Sequence, residues 1–296
     1  MKIINGSEYT FSRDNKPVAT AKVGEPLLFK TQDCFGCQIE SESQLMDEIN
    51  LDHTNPTAGP VYIEGAEVGD VLVVDILNID VDKAGFACSI PGVGPLHHLA
   101  EPRTRKIPIE GGYACFNDVQ WPINPMVGVI GTAPAEGSMG CGFAHNHGGN
   151  MDSNKICKGA RVYLPVRVPG GLLQMGDIHA TMGDGEVCGT GIEVSGEIMV
   201  KTHLIKNFEL NWPVTETDGW WYVNSRGKDY DESLVIGCSE MARLMQPAYD
   251  WDVTDIFIYL SLQGSMEINQ GTRPVHGDMV NLRIGVPKLP GKELIK

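Results

Sequence analysis

Along much of the chain, short apolar runs alternate with clusters of Gly, Pro, Asp and Asn, the pattern of strands joined by turns. Lys2–Ile4, Pro17–Val23 and Leu27–Lys30 read as strands, with Gly24-Glu25-Pro26 turning the chain between the last two. Val61-Tyr62-Ile63 and Val71–Leu77 predict a strong strand pair across the turn Glu64–Asp70. Further strands are expected at Lys106–Pro108, Tyr113–Phe116 and Glu197–Ile205. Pro122 and Pro125 confine Trp121–Gly131 to a loop that leads into a short buried strand. Ser41–Leu51, with Leu45, Met46 and Ile49 at helical spacing, reads as a short helix or turn. Two longer helices are expected near the end. Asp231–Gln246 places Leu234, Val235, Cys238, Met241, Ala242 and Met245 on one face and is expected to stop before Pro247. Asp252–Leu262 follows, with Thr254 as its candidate N-cap and Gly264 after it. Ser265–Asn269 and Asp278–Val286 read as closing strands. The expectation is an antiparallel barrel or sandwich. It divides into a β-rich core over 1–205 and an α/β section over 206–296, or forms one continuous domain.

Composition narrows the function classes. At 296 residues, with 42% hydrophobic and 21% charged residues, the chain can bury a full globular core. A formal charge of −15 with no basic patch argues against nucleic acid and against an anionic membrane surface. No apolar run reaches the length of a signal-peptide core or a membrane span, which predicts a cytoplasmic protein. The eight cysteines then read as thiols, and Cys34/Cys37 has no second CxxC to complete a zinc site.

The candidate chemistry concentrates between His145 and Glu193. His145, His147, Asp152, Asp177, His179, Asp184, Glu186 and Glu193 lie there among glycines. The pairs His145/His147, Asp177/His179 and Asp184/Glu186 are spaced i, i+2, which in extended backbone puts both members on one face. Taken singly, each acid is better explained by turn chemistry than as a ligand. Eight ligand-type residues together favour a metal or acid–base site. Of the adjacent His97 and His98, at most one faces such a site. There is no G-x-S-x-G elbow, no GxxxxGK and no GxGxxG in strand–helix context. Cys141 and Cys188 flank the cluster and leave a cysteine nucleophile open. The best-signalled option is a divalent cation held by histidine and carboxylate, suited to hydrolysis of a small uncharged amide.

A series of short motifs spans most of the chain: Thr31–Gly36, Asn55–Gly59 with Gly59–Ala66, Gly69–Val73 and Gly128–Pro134. The most specific are His147-Gly148-Gly149-Asn150-Met151-Asp152, Tyr163-Leu164-Pro165-Val166 and Gly176–Val187. In these motifs and their order the chain resembles the acetamidase/formamidase family of metal-associated amidases. The resemblance implies a mainly β fold with jelly-roll or β-sandwich and barrel-like parts plus a small α/β section. It also implies hydrolysis of formamide or acetamide to carboxylate and ammonia, a divalent metal, and a homo-oligomer, dimer or higher. Zn²⁺ is the expected ion, with Ca²⁺ or Mn²⁺ as alternatives.

Motif and spacing together assign roles. Asp33, Asp177 and His179 are the expected metal ligands, with His98 or His147 completing the set. Glu186 is the expected general acid/base, with Asp184 beside it on the same face, and Asn150 orients the substrate. Asn55, His147 and Asp152 are expected on the substrate side. The competing reading is a metal-dependent small-molecule binding protein or a cupin-like dioxygenase.

Overall fold

The computed structural model describes residues 1–271 and 280–296. The chain is mainly β, with two large sheets and two α-helices among the described residues. A nine-stranded sheet runs in the order Lys2–Ile4, Leu27–Thr31, Gly196–Ile205, Val71–Val81, Arg161–Pro165, Val214–Glu216, Trp220–Gly227, Val280–Pro287, Ser265–Gln270. An eleven-stranded sheet is centred on Leu173–His179, which pairs with Met126–Gly131, Thr57–Ile63 and the two-residue strand Glu193–Val194.

The strand Val71–Val81 shows why its opening run, Val71–Val74, is apolar without a break. Leu72, Val74 and Ile76 belong to a core shared with Ile130, Met175 and Ile178 of the other sheet. Val71 and Val73, on the opposite face, pack with Met241, Leu244 and Met245 of the first helix. A strand covered on both faces has no reason to alternate. The nine-stranded sheet is thus sandwiched between the second sheet and the helices. It also runs unbroken across position 205, because Arg161–Pro165 pairs with Val214–Glu216. The division at 205 therefore marks no gap in the hydrogen-bonded framework.

The helices differ from expectation at their ends. Helix α1, Tyr230–Tyr249, is capped by the Asp229 carboxylate, which accepts from Glu232 N–H, and it runs through Pro247. Proline there removes only the bond to Arg243 C=O within the final turn, and the helix ends at left-handed Asp250. Helix α2, Val253–Gln263, is capped by Asp252 and not by Thr254. The Asp252 carboxylate accepts from Thr254 N–H at 2.8 Å and Asp255 N–H at 2.9 Å. Aspartate reaches the free amides of the first turn, whereas Thr254 already lies inside the helix. The stretch Ser41–Leu51 yields only 3₁₀ turns, at Met46–Glu48 and Leu51–His53. Pro17–Val23 contributes the shorter strand Ala19–Ala21. The last expected strand is seen from Val280, and its first positions, Asp278 and Met279, lie outside the described residues.

Asp252→Ala is expected to lower unfolding stability by about 1 kcal/mol, with Thr254→Ala near neutral. Urea denaturation of both variants checks the cap, and equal losses would contradict it.

Candidate active site

The site grows from the centre of the eleven-stranded sheet. Leu173–His179 delivers Asp177 and His179, and the pairing of His179 with Glu193 sets an imidazole beside a carboxylate across two strands. His179 Nε2 lies 3.0 Å from Glu193 Oε2 and 3.4 Å from Asp177 Oδ1. His179 Nδ1 contacts Met126 Sδ at 2.9 Å, and Gly191 N–H donates to Glu193 Oε1 at 2.8 Å. Asn55 Nδ2 donates to Asp177 Oδ2 at 3.1 Å. Gln270, at a bulge in the strand Ser265–Gln270, donates its side-chain amide to Asp152 Oδ2 at 2.9 Å and Glu186 Oε2 at 2.7 Å.

Two backbone features permit this convergence. A Cβ at Gly128 would come within 2.5 Å of Asp152 Oδ1 and 2.6 Å of Asp177 Oδ2, so no other residue lets both carboxylates stand there. Asn55, Asp152, Asp177 and Glu186 all hold positive φ, between 45° and 55°. Left-handed backbone costs a residue with a side chain about 1 kcal/mol or more, and such strain gathers at functional sites. The site opens on a cavity of about 170 Å³. Asn55, Asn150, Asp177, His179, Glu186, Glu193 and Gln270 form its polar lining, and Phe35, Met46, Leu51 and Ile90 its apolar wall.

Asp152, Asp177, Glu186, Glu193 and His179 are all buried, so their protonation is shared. Burial pushes the Glu193 carboxyl up to about 8. Burial also raises Asp152 and Glu186, and for Asp152 the neighbouring Glu186 adds to it. Burial opposes the charged form of Asp177 as well, but His179 overrides it and holds Asp177 below the usual carboxylate range. His179 is raised well above an ordinary imidazole because Glu193 and Asp177 outweigh its own burial.

The donor set suits a divalent cation. Asp177 Oδ1, Glu193 Oε2 and Asp152 Oδ1 are buried without a hydrogen-bond partner, a costly arrangement unless something positive meets them. Ligand atoms of Cys34, Asp177 and Glu193 lie within 4.8 Å of one another, as do those of Asp152, His179 and Glu186. Oxygen and nitrogen donors of this kind suit Zn²⁺ or Mn²⁺.

Not every expected residue is here. Asp33 is buried, but its carboxylate closes a local turn by accepting from Cys37 N–H at 2.9 Å, and it does not line the cavity. His98 is exposed, with its ring edge-on to His97. Asp184 and Glu186 do not share a face, because residues 181–190 turn instead of extending and Glu186 is left-handed. Asp184 instead accepts from Arg283 at 2.7 Å and Asn154 at 2.6 Å, which ties the loop to the C-terminal section. His145 is exposed against Trp212, whereas His147 is buried against Phe11 and outside the cavity lining. Glu193, Cys34 and Gln270 take places that the assigned roles leave out. Glu193 stands in the polar stretch itself, but nothing local marks Gln270, which only the sheet brings in.

Fold and site together define a β-sandwich protein with a buried carboxylate–imidazole centre. The chain belongs to the acetamidase/formamidase family, whose model matches residues 8–139 and 143–252. It is 29% identical to the formamidase of Methylophilus methylotrophus over 253 residues, 64% of this chain and 62% of that protein. It is 25% identical to the acetamidase of Mycolicibacterium smegmatis over 272 residues, 68% of this chain and 66% of that protein. The chain thus spans less than two thirds of the length of these curated relatives. The crystal structure of an acetamidase from Bacillus halodurans superposes with a TM-score of 0.92 at 33% identity, covering 96% of this chain and 97% of that one. That of an acetamidase from Yersinia enterocolitica gives 0.89 at 28% identity, covering 95% and 88%.

His147 offers a pH test. Burial, reinforced by His145, Arg167 and Arg226 nearby, pushes its imidazole down from 6.5 to about 3. The unfolded chain therefore takes up a proton below pH 6.5 that the folded chain refuses, so this stability is complete above that pH and is lost as pH falls towards 3. The loss is about 1.4 kcal/mol per pH unit, or about 2 kcal/mol at pH 5. Comparing urea unfolding at pH 7.5 and pH 5, His147→Gln should lose less stability than the parent by that amount. Parallel losses in the two proteins would contradict the burial argument.

Proposed function

We propose that this chain hydrolyses short aliphatic amides, formamide and acetamide among them, to carboxylate and ammonia at the Asp177–His179–Glu193 centre with the aid of a divalent cation. The observation that carries the reading is the set of buried, unpartnered carboxylate oxygens opening on a cavity of about 170 Å³ in a member of this family. Asp177, His179 and Glu193 are the residues to hold the ion. Gln270 already donates to one oxygen each of Asp152 and Glu186, whereas Asp177 Oδ1 and Glu193 Oε2 face only the imidazole Nε2 of His179, at 3.4 Å and 3.0 Å. With His179 Nδ1 donating to Met126 Sδ, Nε2 keeps its lone pair for the cation. Bound there, a divalent ion supplies Lewis acidity and lowers the pKa of a water. Zn²⁺ suits these donors best, and Mn²⁺ or Ca²⁺ are the alternatives to try.

The chain's own groups supply the rest. The Glu186 carboxylate, facing the cavity and with a raised pKa, takes a proton from the water that adds to the amide carbon and passes it to the nitrogen as the C–N bond breaks. Asn150 Oδ1, buried and unpartnered at the cavity, accepts from the substrate NH₂. Asn55 holds Asp177 in place, so its part is positioning. The eight unpaired thiols suit a reducing, cytoplasmic setting. No helix of the described residues is long and apolar enough to cross a membrane.

Ammonia release should be lost on chelation and restored by one of Zn²⁺, Mn²⁺ or Ca²⁺ added singly. Glu186→Gln should keep its metal and lose turnover by about a hundredfold or more. Turnover after complete metal removal would discard the cation, and near-normal turnover in the variant would remove Glu186 from its role.

A homo-oligomer is also part of this reading. Val253, Phe257, Ile258 and Leu262 of α2 are more than half exposed, Phe257 by 72%, an apolar face of the kind a second copy covers. Light scattering is expected to give a multiple of the chain mass, and Phe257→Glu should reduce it. A monomer at micromolar concentration would end the proposal.

A further inference from the structure

Cys34 stands at the edge of the buried acid cluster, on the segment Thr31–Ile39 that passes under the cavity wall. Its backbone carbonyl accepts from Asn55 N–H at 2.7 Å, which fixes the segment beside the residue holding Asp177. Its side chain is 9% exposed and lines the same cavity as Asp177, His179 and Glu193. Its sulfur lies within 4.8 Å of a carboxylate oxygen of both Asp177 and Glu193. Independently, Asp177 Oδ1 and Glu193 Oε2 belong to side chains 99% buried and, apart from His179 Nε2 at 3.4 Å and 3.0 Å, have no hydrogen-bond partner.

Three uses of such a thiol compete. As a nucleophile it needs a cation or base beside it to form the thiolate. Its neighbours are acids, and burial together with Glu193 and Asp177 drives its ionisation well above the ordinary thiol range. As a packing residue it belongs with Phe35, Ile39, Phe86 and Cys88, yet its sulfur then faces carboxylates that a weak S–H donor serves poorly. As a metal ligand it gains the positive charge that its position lacks, and so do the two unpartnered oxygens. Only the third use explains all three groups at once.

We propose that Cys34 Sγ is a ligand of the divalent cation, alongside Asp177 and Glu193, and that this thiolate makes the site selective for a thiophilic ion of the Zn²⁺ class over Ca²⁺ or Mg²⁺. The inference rests on the cation in the proposed function and narrows its identity. On binding, the S–H proton leaves to solvent as the sulfur–metal bond forms, with no change in oxidation state. Hard, oxygen-seeking ions gain little from sulfur, whereas Zn²⁺ and Co²⁺ take it readily.

The test strips the protein with chelator and reloads it with Co²⁺, a spectroscopic stand-in for Zn²⁺. A near-ultraviolet thiolate-to-cobalt charge-transfer band is expected in the parent and absent in Cys34→Ser. Competition against a chromophoric chelator should show the variant binding Zn²⁺ at least about tenfold more weakly, with Ca²⁺ affinity unaltered. Circular dichroism and thermal melting establish that the variant is folded. If it does not fold, the parent spectrum decides alone. Co²⁺ bound without a thiolate band overturns the inference, as does a folded Cys34→Ser with parental Zn²⁺ affinity. In either case, metal-dependent ammonia release leaves the proposed function standing. Failure to bind any of these ions overturns both the inference and the metal dependence.

Discussion

The mutual burial of Asp177, His179 and Glu193 is the constraint on which this site depends. Each ionised alone in a water-poor interior would cost several kcal/mol. Together, and without an ion, they share protons, with His179 raised and Asp177 lowered against the effect of their own burial. The arrangement is also what fits the centre to a cation. On the proposed reading, the charges that protons balance without an ion would be balanced by the cation, which Asp177 Oδ1 and Glu193 Oε2 would meet.

The sheet makes this possible at the level of backbone. His179 and Glu193 meet because two antiparallel strands pair them directly, so their approach is fixed by main-chain hydrogen bonds. Asp152 and Asp177 converge because Gly128 has no side chain between them. Asn55, Asp152, Asp177 and Glu186 pay for their aim with left-handed backbone. Such strain persists only where the surroundings over-determine it, and the surroundings here are the apolar core between two sheets, with Ile130, Met175 and Ile178 fully buried.

The C-terminal section is more than a cover. Gln270 spans Asp152 and Glu186, and Arg283 holds Asp184, so residues beyond 205 brace the loop that bears the acid/base candidate. The nine-stranded sheet that carries them begins with the first residues of the chain. Strain at the site and support from the far end are therefore parts of one packed body.

The strands and helices follow from patterns of apolar and turn residues, and local physics sets those: Val71–Val74 has no competing local structure, and α1 carries its own amphipathic face. The Asp177/His179 pair was legible because both residues belong to one strand, although left-handed Asp177 interrupts the regular alternation and only the folded sheet brings the two side chains within 3.4 Å. The argument failed at Asp184/Glu186, where a left-handed residue breaks the period, and at Asp33, whose carboxylate is satisfied within its own turn. Nothing in the neighbouring sequence could disclose Gln270 or the nearness of Cys34 to Glu193. By itself the sequence determined the elements, the family and the stretch that bears the chemistry, because each is written in contiguous residues. Tertiary structure alone decided which groups meet, because the fold gathers the acids of one stretch and sets Asn55 and Gln270 against Asp177 and Asp152 from more than a hundred positions away, and only burial makes their charges interact strongly.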